Sequence, residues 1–159
     1  MRKLSLALVL AATVAIAVLT TAAGTATEPV PTVAREVLAS TRVASPPGHT
    51  LYLVRVTAMP GALLAKHFHP GTQSVSIESG SVTYTVYKGT ARVFHGPADP
   101  AAKPVRVITA GHSGPIRAGD WFVETPSLVH SAKVTSPGPF VVVYAALLKT
   151  GEPLAIPVQ

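Results

Sequence analysis

Two histidines one residue apart, His67 and His69, lie in the run Gly61-Ala62-Leu63-Leu64-Ala65-Lys66-His67-Phe68-His69-Pro70-Gly71-Thr72-Gln73. In an extended strand alternate side chains share a face, so both imidazoles project to one side of a sheet. A third imidazole, His130, follows Gly119-Asp120 further along the chain. Neutral imidazole nitrogen is a ligand for Zn, Cu, Fe and Ni. Two imidazoles held on one face are half of a metal site, and His130 with Gln73 can complete it. Three such ligands on facing strands hold one side of an ion and leave its other positions for water or substrate.

The remaining chemistry-bearing residues are weaker candidates. His49, His95 and His112 sit beside Gly or Pro signals in loops or at strand ends, where a histidine is ordinarily solvated. Glu78 follows Gln73 by an odd number of residues and so faces away from the site in a continuous strand, as a turn charge. Glu124 shares parity with Phe122 and precedes His130 by six residues, which makes it the one candidate for an additional acid. Asp120 reads as a turn residue. Ser127 lacks the His–acid partners of a nucleophilic site. Phe68, Tyr84, Trp121 and Phe122 are expected in the core, with Phe68 alternatively lining the pocket opening.

These side chains need strands to position them. The spacing of β-branched and apolar residues predicts strands over 33–43, 51–57, 73–77, 81–87, 121–124, 129–134 and 140–148. Ser45-Pro46-Pro47-Gly48 is a turn, and Met59-Pro60-Gly61 ends a strand. Glu78-Ser79-Gly80 reads as a hairpin turn joining the strands on either side of it. Val82, Tyr84 and Val86 share one face of their strand. The segment from Gly96 to Pro104 is an expected exposed loop between two strands. Short strands with Gly and Pro punctuation and no helical period indicate an all-β sandwich or barrel.

The motifs resemble those of the cupin superfamily. Its first motif runs Gly, five residues, His-x-His, three or four residues, Glu, six residues, Gly. Gly61, His67, His69 and Gly80 fall at that spacing, and Gln73 stands where the family carries Glu. In the second motif Gly119 and His130 match, whereas Thr125, Ser127 and Val134 depart from its Pro, Gly and Asn, and Pro126 keeps turn character. The resemblance spans Gly61 to Val134. It implies a single cupin-type jelly-roll β-barrel and a divalent transition metal (Zn, Fe, Ni, Mn or Cu) on His67, His69, Gln73 and His130. At position 73 an amide oxygen replaces a carboxylate and neutralises none of the metal's charge. Such a site leaves two readings: an exported protein that binds a metal and a small molecule, or a metal-dependent enzyme such as a dioxygenase or isomerase. The edge strands and the long apolar C-terminal strand also suit a homodimer.

At the N-terminus Arg2 and Lys3 precede an apolar run from Leu4 to about Leu19, then small residues from Thr20 to Ala26. That order is a secretory signal, with cleavage expected after Ala23 or Ala26. Residues 1–26 are therefore read as signal peptide and 27–159 as the domain, secreted or periplasmic, with no stable membrane anchor once the signal is cleaved. A retained anchor is the alternative, since the run approaches the roughly 20 residues that span a bilayer. Removing Arg2 and Lys3 takes thirteen basic residues to eleven against seven acidic, and the net charge from +6 to +4. The remaining cations are scattered, without the basic patch or motif that nucleic-acid binding requires. The chain has no cysteine, which excludes disulfides, thiolate metal ligands and a lipid-modified N-terminal Cys.

Overall fold

Alternation of apolar and polar residues builds this chain. A computed structural model describes residues 32–99 and 101–159, so the expected signal peptide, residues 1–26, lies outside the described residues. In chain order the strands are β1 (Val33–Arg42), β2 (His49–Ala58), β3 (Leu63–Phe68) and β4 (Thr72–Ser79). They continue with β5 (Ser81–Lys88), β6 (Thr90–His95), β7 (Arg106–Thr109) and β8 (His112–Arg117). The last are β9 (Asp120–Glu124), β10 (Val129–Val134), β11 (Phe140–Lys149) and the short β12 (Ile156–Pro157).

They form two antiparallel sheets. A seven-stranded sheet is ordered β1-β2-β11-β4-β9-β6-β7, and a five-stranded sheet β12-β3-β10-β5-β8. The inward positions of both sheets are apolar: Val54, Val56, Val75, Ile77, Phe122, Phe140 and Val142 on one, Val82, Val86, Ile116 and Val134 on the other. Burial of each such side chain contributes about 1.5–3 kcal/mol. The result is the all-β architecture expected from the strand pattern, in the jelly-roll form that the motif resemblance implied. The loop from Gly96 joins β6 to its partner β7, and its described residues are largely exposed, as expected.

The expected hairpin around Gly80 does not form. β4 pairs with β11 and β9, whereas β5 pairs with β10 and β8, so Gly80 turns the chain from one sheet to the other. Gly80 has φ +74°, and a Cβ there would lie 2.7 Å from Pro139 O and 2.8 Å from Phe140 Cα. Only glycine meets both demands without strain. Gly80→Ala is expected to destabilise the protein by about 1–3 kcal/mol, read as a lower urea midpoint with an unchanged slope.

Other expectations shift in detail. Trp121 is not a core residue: it faces outward and stacks on Phe94, with ring centroids 4.3 Å apart. Asp120 does close a turn, through Arg117 N–H donating to its Oδ2, but it is also buried and bonds His95 Nδ1 at 2.8 Å. Glu78 lies on the exposed face, paired with Arg55 at 3.6 Å. Five strands, β3, β6, β7, β8 and β12, are not among the ranges assigned from the sequence, although the alternation of His67 and His69 implied β3, and β6 alternates exposed and buried residues.

Candidate metal centre

Two adjacent strand pairs, one from each sheet, build the site. In the five-stranded sheet His67 on β3 is the direct cross-strand partner of His130 on β10. His69 follows just beyond the end of β3. The ligand nitrogens of the three histidines lie within 4.8 Å of one another. In the seven-stranded sheet Gln73 on β4 is the direct partner of Glu124 on β9. All five side chains line one cavity, whose remaining wall is mostly apolar. His69, Gln73, Glu124 and His130 are buried and His67 is half-buried.

Hydrogen bonds orient the rings. His67 Nδ1 lies 2.6 Å from Ala65 O, and His69 Nδ1 lies 2.6 Å from Leu154 O. A carbonyl only accepts, so both Nδ1 atoms carry hydrogen and both Nε2 atoms are left to the cluster. A carbonyl on the outer nitrogen is the usual partner of a metal-bound histidine. Gln73 uses its Nε2 to donate to the same Leu154 O at 3.4 Å, which leaves its amide oxygen free of that bond.

Glu124 is the residue that sequence reasoning ranked too low. Its carboxylate receives Tyr84 Oη–H at 2.7 Å and lies 3.2 Å from His69 Nε2 and 3.3 Å from His130 Nε2. The parity signal that brought it forward was sound. What the sequence could not give was the register that sets β9 beside β4 and puts its acid opposite Gln73. Tyr84 likewise is more than core filling, since it anchors that carboxylate and stacks on His130 with centroids 4.8 Å apart. Phe122 packs edge-on against Tyr84 in the core, whereas Phe68 does not line the cavity.

The electrostatics follow from burial and from Glu124. Burial by itself would raise the Glu124 pKa, but the charge of His130 and the bonds from His69 and Tyr84 outweigh it and bring the value down to about 2. Burial lowers His130 to about 4, helped by the nearby His67 and His69 and only partly opposed by Glu124. Burial also lowers His67. For His69 burial acts downward as well, yet its bond to Glu124 and the carboxylate charge raise the pKa overall. The two ring nitrogens of His69 thus face Leu154 O and the Glu124 carboxylate.

These shifts fix a pH profile. Below pH 6.5 the unfolded chain protonates His130 while the folded chain resists until about 4, so stability falls across that window, with His67 acting in the same sense. Glu124, depressed from 4.5 to about 2, contributes stability above 4.5 that is lost as pH falls toward 2. His69, raised, contributes fully below 6.5 and loses that contribution as pH rises through its folded value. The cluster thus favours a stability maximum near pH 6.5. Urea denaturation of metal-free protein is expected to lose about 3 kcal/mol between pH 6.5 and 4 on account of His130, and His130→Gln is expected to flatten that limb.

The donor set fits a divalent transition ion. Ligand distances of about 2.0–2.1 Å place nitrogens about 3.4 Å apart around one centre, and the nitrogens here lie within 4.8 Å of one another. The buried Glu124 carboxylate beside the imidazoles also adds a negative charge that favours a cation there. His67, His69 and His130 can therefore hold one metal ion.

No protein-family model matches this sequence, and no curated protein matches it. Solved structures match in fold. The polyketide cyclase RemF from Streptomyces resistomycificus aligns with a TM-score of 0.52 at 13% identity, covering 80% of this chain and 72% of that one. A cupin 2 domain-containing protein from Halorhodospira halophila aligns with a TM-score of 0.51 at 11% identity, covering 80% of this chain and 70% of that one. The fold is that of the cupin superfamily, as the two motifs implied.

Proposed function

We propose that this protein is an exported single-domain cupin that holds one divalent transition metal on His67, His69 and His130, with Gln73 at the fourth protein position, and takes a small molecule into its barrel. The observation that carries this reading is the convergence of three imidazoles whose outer nitrogens, in His67 and His69, are tied to backbone carbonyls. A bound metal would supply Lewis acidity, polarising an oxygen of whatever ligand meets it. The protein's own part is to orient the rings, to hold a carboxylate close by, and to wall the cavity with apolar side chains that restrict water. Export rests on the charged, apolar and small-residue order of residues 1–26. Intact-mass measurement of protein from an exporting host is expected to show a chain lacking its first 23 or 26 residues.

A metal-dependent enzyme, such as a dioxygenase or isomerase, is the second reading, and Glu124 is the observation that favours it. The sequence motif lacks its acid at position 73, but the cross-strand partner of that position supplies one, held ionised beside the histidines. A carboxylate in that place can accept a proton from a ligand bound next to it.

Titration with Zn, Ni and Mn ions tests the metal reading. Wild-type protein is expected to show one saturable site per chain and a concentration-dependent rise in melting temperature. Gln73→Glu is expected to bind tighter, because a carboxylate adds charge and a better donor. The same substitution sets two carboxylates in cross-strand register, so the metal-free variant is expected to be less stable. Unchanged affinity for all three ions would place residue 73 out of reach of the metal.

A further inference from the structure

One cation stands on the inner face of the barrel. Arg35 lies on β1, the edge strand of the seven-stranded sheet, directly across from the buried Val56. Cross-strand partners share a face, so Arg35 has the inward register of the core. Its side chain is exposed, yet it lines the same cavity as the three histidines and also the outer groove that adjoins His67. Its positive charge acts on His67, His69 and Tyr144. In the groove the other charged side chain is Lys66, and no acid lines it.

A second observation points to a ligand. Tyr144, on β11, lines the cavity and is 5% exposed; its buried hydroxyl makes no hydrogen bond of full geometry among the described residues, although the Arg35 side chain reaches toward it. An unpaired buried hydroxyl costs about 1–3 kcal/mol and is retained most readily where something else bonds it. The Tyr144 ring lies 6.3 Å from that of His69, and the cavity wall they share includes the apolar Val56, Val75, Phe140 and Val142. A guanidinium and a neighbouring hydroxyl in a largely apolar cavity form the recognition pattern of an oxyanion on an apolar body.

We infer that the cavity takes a small apolar carboxylate, its anionic group held by Arg35 and Tyr144 and its hydrocarbon part directed toward His67 and His130. This rests on the reading of the cavity as a ligand site, and not on the metal. A purely structural role for Arg35 is the rival: an inward charge on an edge strand guards against edge-to-edge association.

The test uses butyrate and its uncharged isostere butyramide, titrated against zinc-free and zinc-loaded protein. Wild-type protein is expected to prefer butyrate by about tenfold or more in both states. Arg35→Gln is expected to remove that preference, Arg35→Lys to keep part of it, and Tyr144→Phe to weaken butyrate several-fold. Zinc stoichiometry measured on the same samples separates the two readings. Butyrate preference without zinc binding would sink the metal site and leave the anion site standing. Equal affinity for butyrate and butyramide in wild-type protein would overturn the anion site. A preference that appears only with zinc, or survives in Arg35→Gln, would also overturn it. Self-association of Arg35→Gln with butyrate preference unchanged would assign Arg35 to edge protection instead.

Discussion

Replacing His130 by alanine is expected to abolish stoichiometric metal binding, with a loss of affinity greater than about 100-fold. His67→Ala and His69→Ala are expected to do the same. The three rings meet because β3 and β10 are neighbours in register, and each ring supplies one nitrogen to the cluster. His95→Ala and His112→Ala serve as controls and are expected to leave binding intact. His95 is engaged with Asp120, and the exposed His112 bonds Ala110 O and Thr109 at the turn between β7 and β8. Calorimetric titration with zinc reads all five variants. Equal losses from the control histidines would move the site elsewhere.

The second large effect belongs to Glu124. Glu124→Gln removes a buried charge that His69, His130 and Tyr84 all address. The metal-free variant is expected to be less stable by about 3 kcal/mol, because breaking one member of a buried ionic cluster leaves the others uncompensated. Its metal affinity is expected to fall about 10–100-fold, the range for groups that support a metal's ligands. Tyr84→Phe loses a single bond to the same carboxylate and is expected to cost about 1 kcal/mol. Urea denaturation of the metal-free forms and zinc titration of all three proteins separate these effects. A Glu124→Gln variant equal to wild type in both measurements would show the carboxylate to be a bystander.

The sequence made the histidine half of this centre legible because strand periodicity and motif spacing are local properties. His67 and His69 share a face by alternation alone, and Gly61, Gly80 and Gly119 mark turns that any reader of φ preferences would find. The carboxylate half was harder. Glu124 becomes a member of the cluster only through the pairing of β9 with β4, a contact between segments some fifty residues apart. The misread hairpin at Gly80 has the same origin. A glycine with positive φ closes a hairpin and turns a sheet corner equally well, and the choice is made by distant strands that claim β4 and β5 separately. Arg35 shows the reverse failure. Composition made it one of many scattered cations, and only its register against Val56 sets it apart.

The central claim is that His67, His69 and His130 hold one metal ion, and elemental analysis tests it most directly. The protein is purified without a histidine tag, and its metal content is compared with that of His130→Ala prepared identically. One equivalent of a divalent transition metal per chain in the wild type, and almost none in the variant, is the predicted result. A wild-type protein that carries no metal and takes up none from zinc, nickel or manganese solutions would contradict the account.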